Sequence, residues 1–227
     1  MRQWLTCVVI AGTMAVSPAA SAGDYADLEQ TIAERRAALA ERWDSAEDRA
    51  DVEATARAEI LDNVTRLAAM WLGTRWGLGL PQLTEPGDGK INCGTFVGTV
   101  LRDAGFAVRV KKLQRQPSQL IIRSFVGSDR MKKFSNASMK KFLADVRDMG
   151  PGLFIIGLDL HVGFLVQTDD DLRFIHASYE TETVVDEAAA TATLIVDSKY
   201  RVVGKILDDD NVRDWLAGRR IRVKGNW

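Results

Sequence analysis

The apolar spacing of this chain changes character at Gly152, and that change restricts the folds open to it. Upstream, Leu28, Ile32, Leu39 and Trp43 fall on one helical face, and Ile60, Val64, Leu67 and Trp71 on another. The spacing predicts helices across residues 24–72, broken near Asp44-Ser45, and a helix from Cys93 to Ala104 that stops at Gly105. Gly-rich residues 73–92, with Pro81 and Pro86, read as a long loop. A short apolar segment at Phe106–Val110 precedes further helices around Ser118–Phe125 and Ala137–Val146, and the lysines at 132, 133, 140 and 141 read as solvated. Downstream, period two or short apolar runs predict strands at Leu153–Leu158, His161–Gln167, Leu172–Ala177, Thr183–Asp186, Thr193–Val196 and Arg201–Ile206. Residues Thr168 to Asp171 supply a hairpin turn, and Asp208 to Asn211 a cap for a short helix at Val212–Leu216. Helices followed by an antiparallel meander make an α+β layer structure, not a doubly wound sheet.

The start of the chain carries a different signal. Arg2 precedes an apolar stretch from Trp4 to Val16, then Ser17-Pro18 and the small-residue pattern Ala20-Ser21-Ala22. That order predicts a secretory signal peptide over 1–22, cleaved near Ala22, and a periplasmic or secreted mature protein. The mature chain has no apolar run near the roughly 20 residues that a bilayer span requires, so no integral membrane segment is expected. With 30 Lys and Arg against 31 Asp and Glu and no long basic run, nucleic acid is not an expected partner.

Removing the signal takes Cys7 with it and leaves Cys93 as the one cysteine, so no intramolecular disulfide forms in a compartment that favours them. A lone Cys is usually a small buried hydrophobe. Its context argues otherwise. Cys93 opens a helix, where unpaired backbone N–H groups favour a thiolate, and a neighbouring imidazolium would lower the thiol further. The chain has two histidines, His161 and His176. Across a hairpin turning near Asp169 and Asp170, residues whose numbers sum to about 337–341 lie roughly opposite, which makes the two near-partners. One imidazole would then act on the sulfur while the other holds it in its working tautomer. A zinc site from the same three residues lacks a fourth protein ligand, and no metal centre is expected.

The motifs in order resemble the NlpC-type bacterial cell-wall endopeptidases, which are papain-like cysteine peptidases. The segment Trp71-Leu72-Gly73-Thr74-Arg75-Trp76-Gly77-Leu78-Gly79 is similar to that family's L-G-T-P-Y-x-x-G-G, and Asn92-Cys93-Gly94-Thr95-Phe96-Val97 to D-C-S-G-F-V. His161-Val162-Gly163-Phe164 resembles H-V-G-I, and Phe174-Ile175-His176-Ala177-Ser178 matches F-I-H-A-S. The resemblance covers about residues 65–180. It implies an NlpC-like hydrolase domain over 65–227, with 23–64 as a helical extension and the nucleophile helix packed on an antiparallel sheet. It implies Cys93 as nucleophile, His161 as general base, His176 as the residue that orients it, no cofactor, and peptidoglycan stem peptide as substrate.

The departures cluster near the nucleophile. Asn92 stands in place of Asp, Gly94 of Ser, Thr95 of Gly, and Trp76 of a common Tyr whose hydroxyl can serve an oxyanion. Trp76, Asn92 and Gly94 are therefore candidate oxyanion or pocket-support residues. Leu80 and the long segment 106–149 suggest a remodelled cleft. Two other functions stay open on the same fold: a non-catalytic wall-binding protein, and an acyltransferase or amidase using the same dyad.

Overall fold

The computed structural model describes residues 22–225, and the signal segment expected over 1–22 lies outside them but for its last residue. Two long helices, α1 (Ala22–Ser45) and α2 (Arg49–Met70), precede an extended stretch that carries the parallel pair β1 (Arg75–Trp76) and β2 (Lys90–Ile91). Then follow α3 (Cys93–Asp103), α4 (Val110–Leu113), α5 (Ser118–Arg123), β3 (Lys132–Ser135) and α6 (Met139–Arg147). The remaining chain holds β4 (Gly152–Gly157), β5 (Val162–Gln167), β6 (Leu172–Ala177), β7 (Val184–Ala188), α7 (Thr193–Asp197), β8 (Tyr200–Lys205) and α8 (Asp209–Leu216). Among the described residues no helix is long and apolar enough to cross a membrane.

The fold is α+β. Its main sheet has six antiparallel strands in the order β3-β8-β4-β5-β6-β7. Only β4 to β7 form the expected meander; β8 returns to the far side of β4, and β3 pairs beyond it. The strand at β3 was not anticipated, because Lys132 and Lys133 mask a four-residue run whose buried position is Phe134. The strand expected at Thr193–Val196 is instead the helix α7. Four apolar residues do not distinguish the two states. Here the buried Arg201 guanidinium donates to the carbonyls of Ile195 (2.7 Å) and Val196 (2.9 Å), satisfying the end of a helix.

Every residue of β4 and β5 is buried, because the sheet is covered on both faces. One face packs Leu153, Ile155, Phe164 and Ile175 in one cluster with Phe96 and Val100 of α3 and residues of α1 and α2. The other packs Phe154, Ile156, Leu165 and Phe174 with Phe142 of α6 and Ile195 of α7. At about 25 cal/mol per Å² of apolar surface removed from water, these two layers supply the main driving force for folding.

The N-terminal helices are fastened to the rest by directed contacts. The fully buried Trp71 donates to the Tyr25 hydroxyl (3.1 Å), which donates to Asp103 at the end of α3 (2.8 Å). At the other side, Arg213 of α8 makes a two-point contact with Glu53 of α2 (2.9 and 3.1 Å). The helix α3 ends where expected: Gly105 takes a φ of +95°, and a Cβ there would lie 2.8 Å from the Trp215 indole nitrogen.

Candidate active site

Helix α3 starts at Cys93 because Asn92 caps it. The Asn92 side-chain oxygen accepts from the Thr95 backbone N–H (2.9 Å) and hydroxyl (3.1 Å). Its amide nitrogen and its own backbone N–H donate to the Gln82 side-chain oxygen (3.0 and 2.7 Å). Gln82 in turn donates to the carbonyls of Gly77 and Gly79, so one glutamine ties the loop 77–82 to the entry of the nucleophile helix. Asn92 thus holds the backbone around Cys93, with both ends of its side chain engaged.

Cys93 is partly buried and lines a cavity of about 400 Å³ shared with Asn92, Gly94, Gln114, Pro117, Leu160 and His161. A Cβ on Gly94 would stand 3.0 Å from the Gln114 carbonyl, so the small residue keeps that wall close. Burial pushes the Cys93 thiol above its ordinary value, while the backbone N–H groups of Val162, Gly94 and Cys93 itself act in the opposite direction. The helix terminus does not win here. Burial therefore raises the thiol, where the helix start alone leads one to expect a lowered one.

His161 sits at the exit of the tight connection between β4 and β5, where its carbonyl accepts from the Leu158 N–H (2.8 Å). His176 lies within β6. The two come together as the hairpin register implies: Phe164 pairs with Ile175, and His161 Nε2 lies 2.9 Å from His176 Nδ1. Gly163 makes this approach feasible, since a Cβ there would lie 2.8 Å from the His176 Cβ and 2.6 Å from the Phe174 ring. Burial lowers both imidazoles, and repulsion between them adds to the effect at His161. Both rings are neutral near pH 7. The remaining ring atom, His161 Nδ1, is buried and has no hydrogen-bond partner. His176 Nε2 lies 2.9 Å from a carboxylate oxygen of Glu187 on β7. With the imidazole neutral, this contact is a hydrogen bond, not an ion pair.

Cys93, His161, Asn92 and Gly94 therefore meet at one cavity, with His176 immediately behind His161. Trp76 is set apart from them. It lines a neighbouring pocket with Pro81, Gln82 and Lys90, and its buried indole N–H has no partner. Tyr179 bridges the two regions, its ring edge-on to both Trp76 (6.0 Å) and His161 (5.6 Å). Neither Glu187 nor Tyr179 was singled out from sequence. Tyr179 directly follows the F-I-H-A-S segment and was legible there; Glu187 becomes a neighbour of His176 only through strand pairing. Two cavity-lining leucines are strongly exposed, Leu78 at 67% and Leu160 at 85%, and give the cleft an apolar rim.

No protein-family model and no curated protein matches the sequence. Among solved structures the chain is similar to an N-acetylmuramoyl-L-alanine amidase from Bacteroides uniformis, at 12% identity and a TM-score of 0.35, over 66% of this chain and 98% of that one. It is also similar to a Legionella pneumophila protein of family DUF1460, at 13% identity and a TM-score of 0.37, over 80% of this chain and 97% of that one. Likenesses this distant carry no argument about the reaction.

Proposed function

We propose that this chain is a periplasmic or secreted cysteine hydrolase that cleaves amide bonds in peptidoglycan stem peptides, on an NlpC-type papain-like fold. The observation that carries the reading is that Cys93, at the head of α3, and His161, at the start of β5, line the same cavity, and that His161 keeps a buried ring nitrogen, Nδ1, without a hydrogen-bond partner. The four motifs that resemble the NlpC-type family support the substrate class. In this reading residues 65–227 are the hydrolase domain and 23–64 its helical extension. The residues need no cofactor for the steps below.

With burial raising the thiol and lowering the imidazole, the proton leaves as the sulfur attacks. The Cys93 thiol passes its proton to His161 Nδ1 while an S–C bond forms to the amide carbonyl. In this reading backbone N–H groups at the start of α3 would serve the developing oxyanion. Collapse breaks the C–N bond, and the proton on Nδ1 goes to the leaving amine. Water then enters, loses a proton to the same nitrogen and attacks the thioester, and the returned proton restores the thiol. His176 receives the His161 Nε2–H throughout and holds the ring in place.

The test is Cys93→Ala in the purified mature protein, incubated with defined wall muropeptides. Loss of turnover with an unchanged circular dichroism spectrum is expected. Equal turnover by wild type and variant overturns the reading. A second reading, an inert wall-binding protein, is favoured by the burial that raises the thiol. A hydroxylamine-sensitive acyl adduct on Cys93, trapped during turnover and found by mass spectrometry, excludes it.

A further inference from the structure

We propose that Glu187 is a positioning residue that sets the tautomer of His161 through His176, and so determines which nitrogen of the base is free to take the thiol proton. The inference rests on the hydrolase reading for its consequence, but its geometry stands independently. His176 is fully buried, and its two ring nitrogens have one partner each: Glu187 at Nε2 and His161 at Nδ1, both at 2.9 Å. Phe174 stacks on its face at 3.8 Å, nearly parallel, and closes off that side of the ring.

The tautomers follow in order from the carboxylate. An ionised Glu187 has no proton to give, so the shared hydrogen must sit on His176 Nε2. Burial raises the Glu187 carboxyl, while Arg173 on the adjacent strand, paired with Asp186 at 2.9 Å, acts in the opposite direction, so the ionised form is part of the proposal and the tautomers are what test it. A neutral imidazole carries one N–H, so His176 Nδ1 is a bare acceptor and His161 Nε2 must supply the hydrogen between the rings. That leaves His161 Nδ1 without a proton, and it is the atom found buried and unpartnered. Were Glu187 to donate instead, each proton would sit on the opposite nitrogen, and His161 Nδ1 would carry a hydrogen and could not act as a base.

The arrangement also crosses the sheet. Cys93 packs against the cluster on the α3 face, whereas Phe174, against which His176 stacks, belongs to the cluster on the α6 and α7 face. His161, at the strand start, joins the two. No motif around the cysteine or the histidines encodes Glu187. It is brought in by the register of β6 and β7, in which Phe174 pairs with Glu187 and His176 with Val185.

The experiment uses the mature protein with ¹⁵N-labelled imidazoles, and the chain's two histidines give two ring systems to assign. Wild type is expected to show both rings protonated on Nε2 with pyridine-type Nδ1 atoms. Glu187→Gln keeps an acceptor oxygen without the charge and is expected to retain both tautomers. Glu187→Leu removes the acceptor; His176 and then His161 become tautomer mixtures, and kcat falls by about 10-fold or more, towards the ~10⁴-fold that a wrong tautomer costs a serine triad, with little change in KM. A hydrogen on Nδ1 of either ring in wild type overturns the proposal, as do unchanged tautomers in Glu187→Leu. The wild-type spectrum decides even if the leucine variant does not fold. Tautomers as stated, in a protein that turns over no muropeptide, uphold the Glu187 assignment and refute the hydrolase reading instead.

Discussion

The Nε2 atom of His161 lies 2.9 Å from Nδ1 of His176, so the two imidazoles share one hydrogen and neither ring titrates or turns alone. Burial lowers both to about 3, and the pH behaviour of the molecule follows from that pairing.

For a histidine depressed in the folded state, the unfolded chain binds the proton first. The contribution is complete above the unfolded value of about 6.5 and is lost as pH falls towards the folded value, at ~1.4 kcal/mol per pH unit per ring. Urea unfolding is expected to show stability dropping steeply between about pH 6 and pH 4, and a double variant His161→Asn, His176→Gln to lack that drop. For the reaction, kcat/KM is expected to show no inflection near the ordinary histidine value. An inflection there would contradict a neutral buried pair.

Gly163→Ala places a methyl group against the His176 Cβ and the Phe174 ring, at 2.8 and 2.6 Å. Both neighbours are buried and packed on each other, so they cannot yield freely. Overpacking of this kind costs about 1–3 kcal/mol. A lower urea midpoint and a kcat loss larger than that of a neutral surface variant are expected. Wild-type stability with wild-type rate would show that the close approach is unnecessary.

Leu160 is exposed beside His161 and lines the cleft. Leu160→Asp is expected to raise KM for muropeptides several-fold while leaving kcat and the melting temperature near wild type, because the side chain makes no core contact to lose. A kcat loss with KM unchanged would place Leu160 in the chemistry instead of on the substrate's path.

Glu29 on α1 is raised to about 7, first by burial and then by the charge of Asp103 and a hydrogen bond to it, with Arg102 opposing. Here the folded state holds the proton more tightly than the unfolded chain. The contribution is present below the unfolded value of about 4.3 and lost as pH rises through about 7. Glu29→Gln removes that titration, so the variant is expected to lose less stability than wild type between pH 5.5 and pH 8.5 in thermal melts. Parallel losses in the two proteins would refute the raised Glu29 carboxyl.

Much of this was readable before any coordinates. The change of period at Gly152, the helix opening at Cys93 and the β5–β6 hairpin that joins His161 to His176 all appear where spacing places them. These are local patterns, each set by a few consecutive residues and a turn. What escaped is what depends on distant pairing. The strand β3 is visible only once β8 lies beside it, and α7 only once Arg201 holds its carbonyls. Glu187 carries no signal of its own until β7 pairs with β6. The environment of the thiol divides in the same way: the helix terminus is local and legible, whereas the burial that raises the thiol is assembled from several elements.

The grip of Arg213 on Glu53 spans 160 positions of sequence. During synthesis the first two helices therefore emerge with their apolar stripes bare and wait for the last helix before their environment is complete. The architecture closes late, and as a whole. Deleting α8 would accordingly do more than shorten the protein. It would uncover the part of the α1–α2 hairpin that α8 shields, while α3 still holds the rest through Trp71, Tyr25 and Asp103.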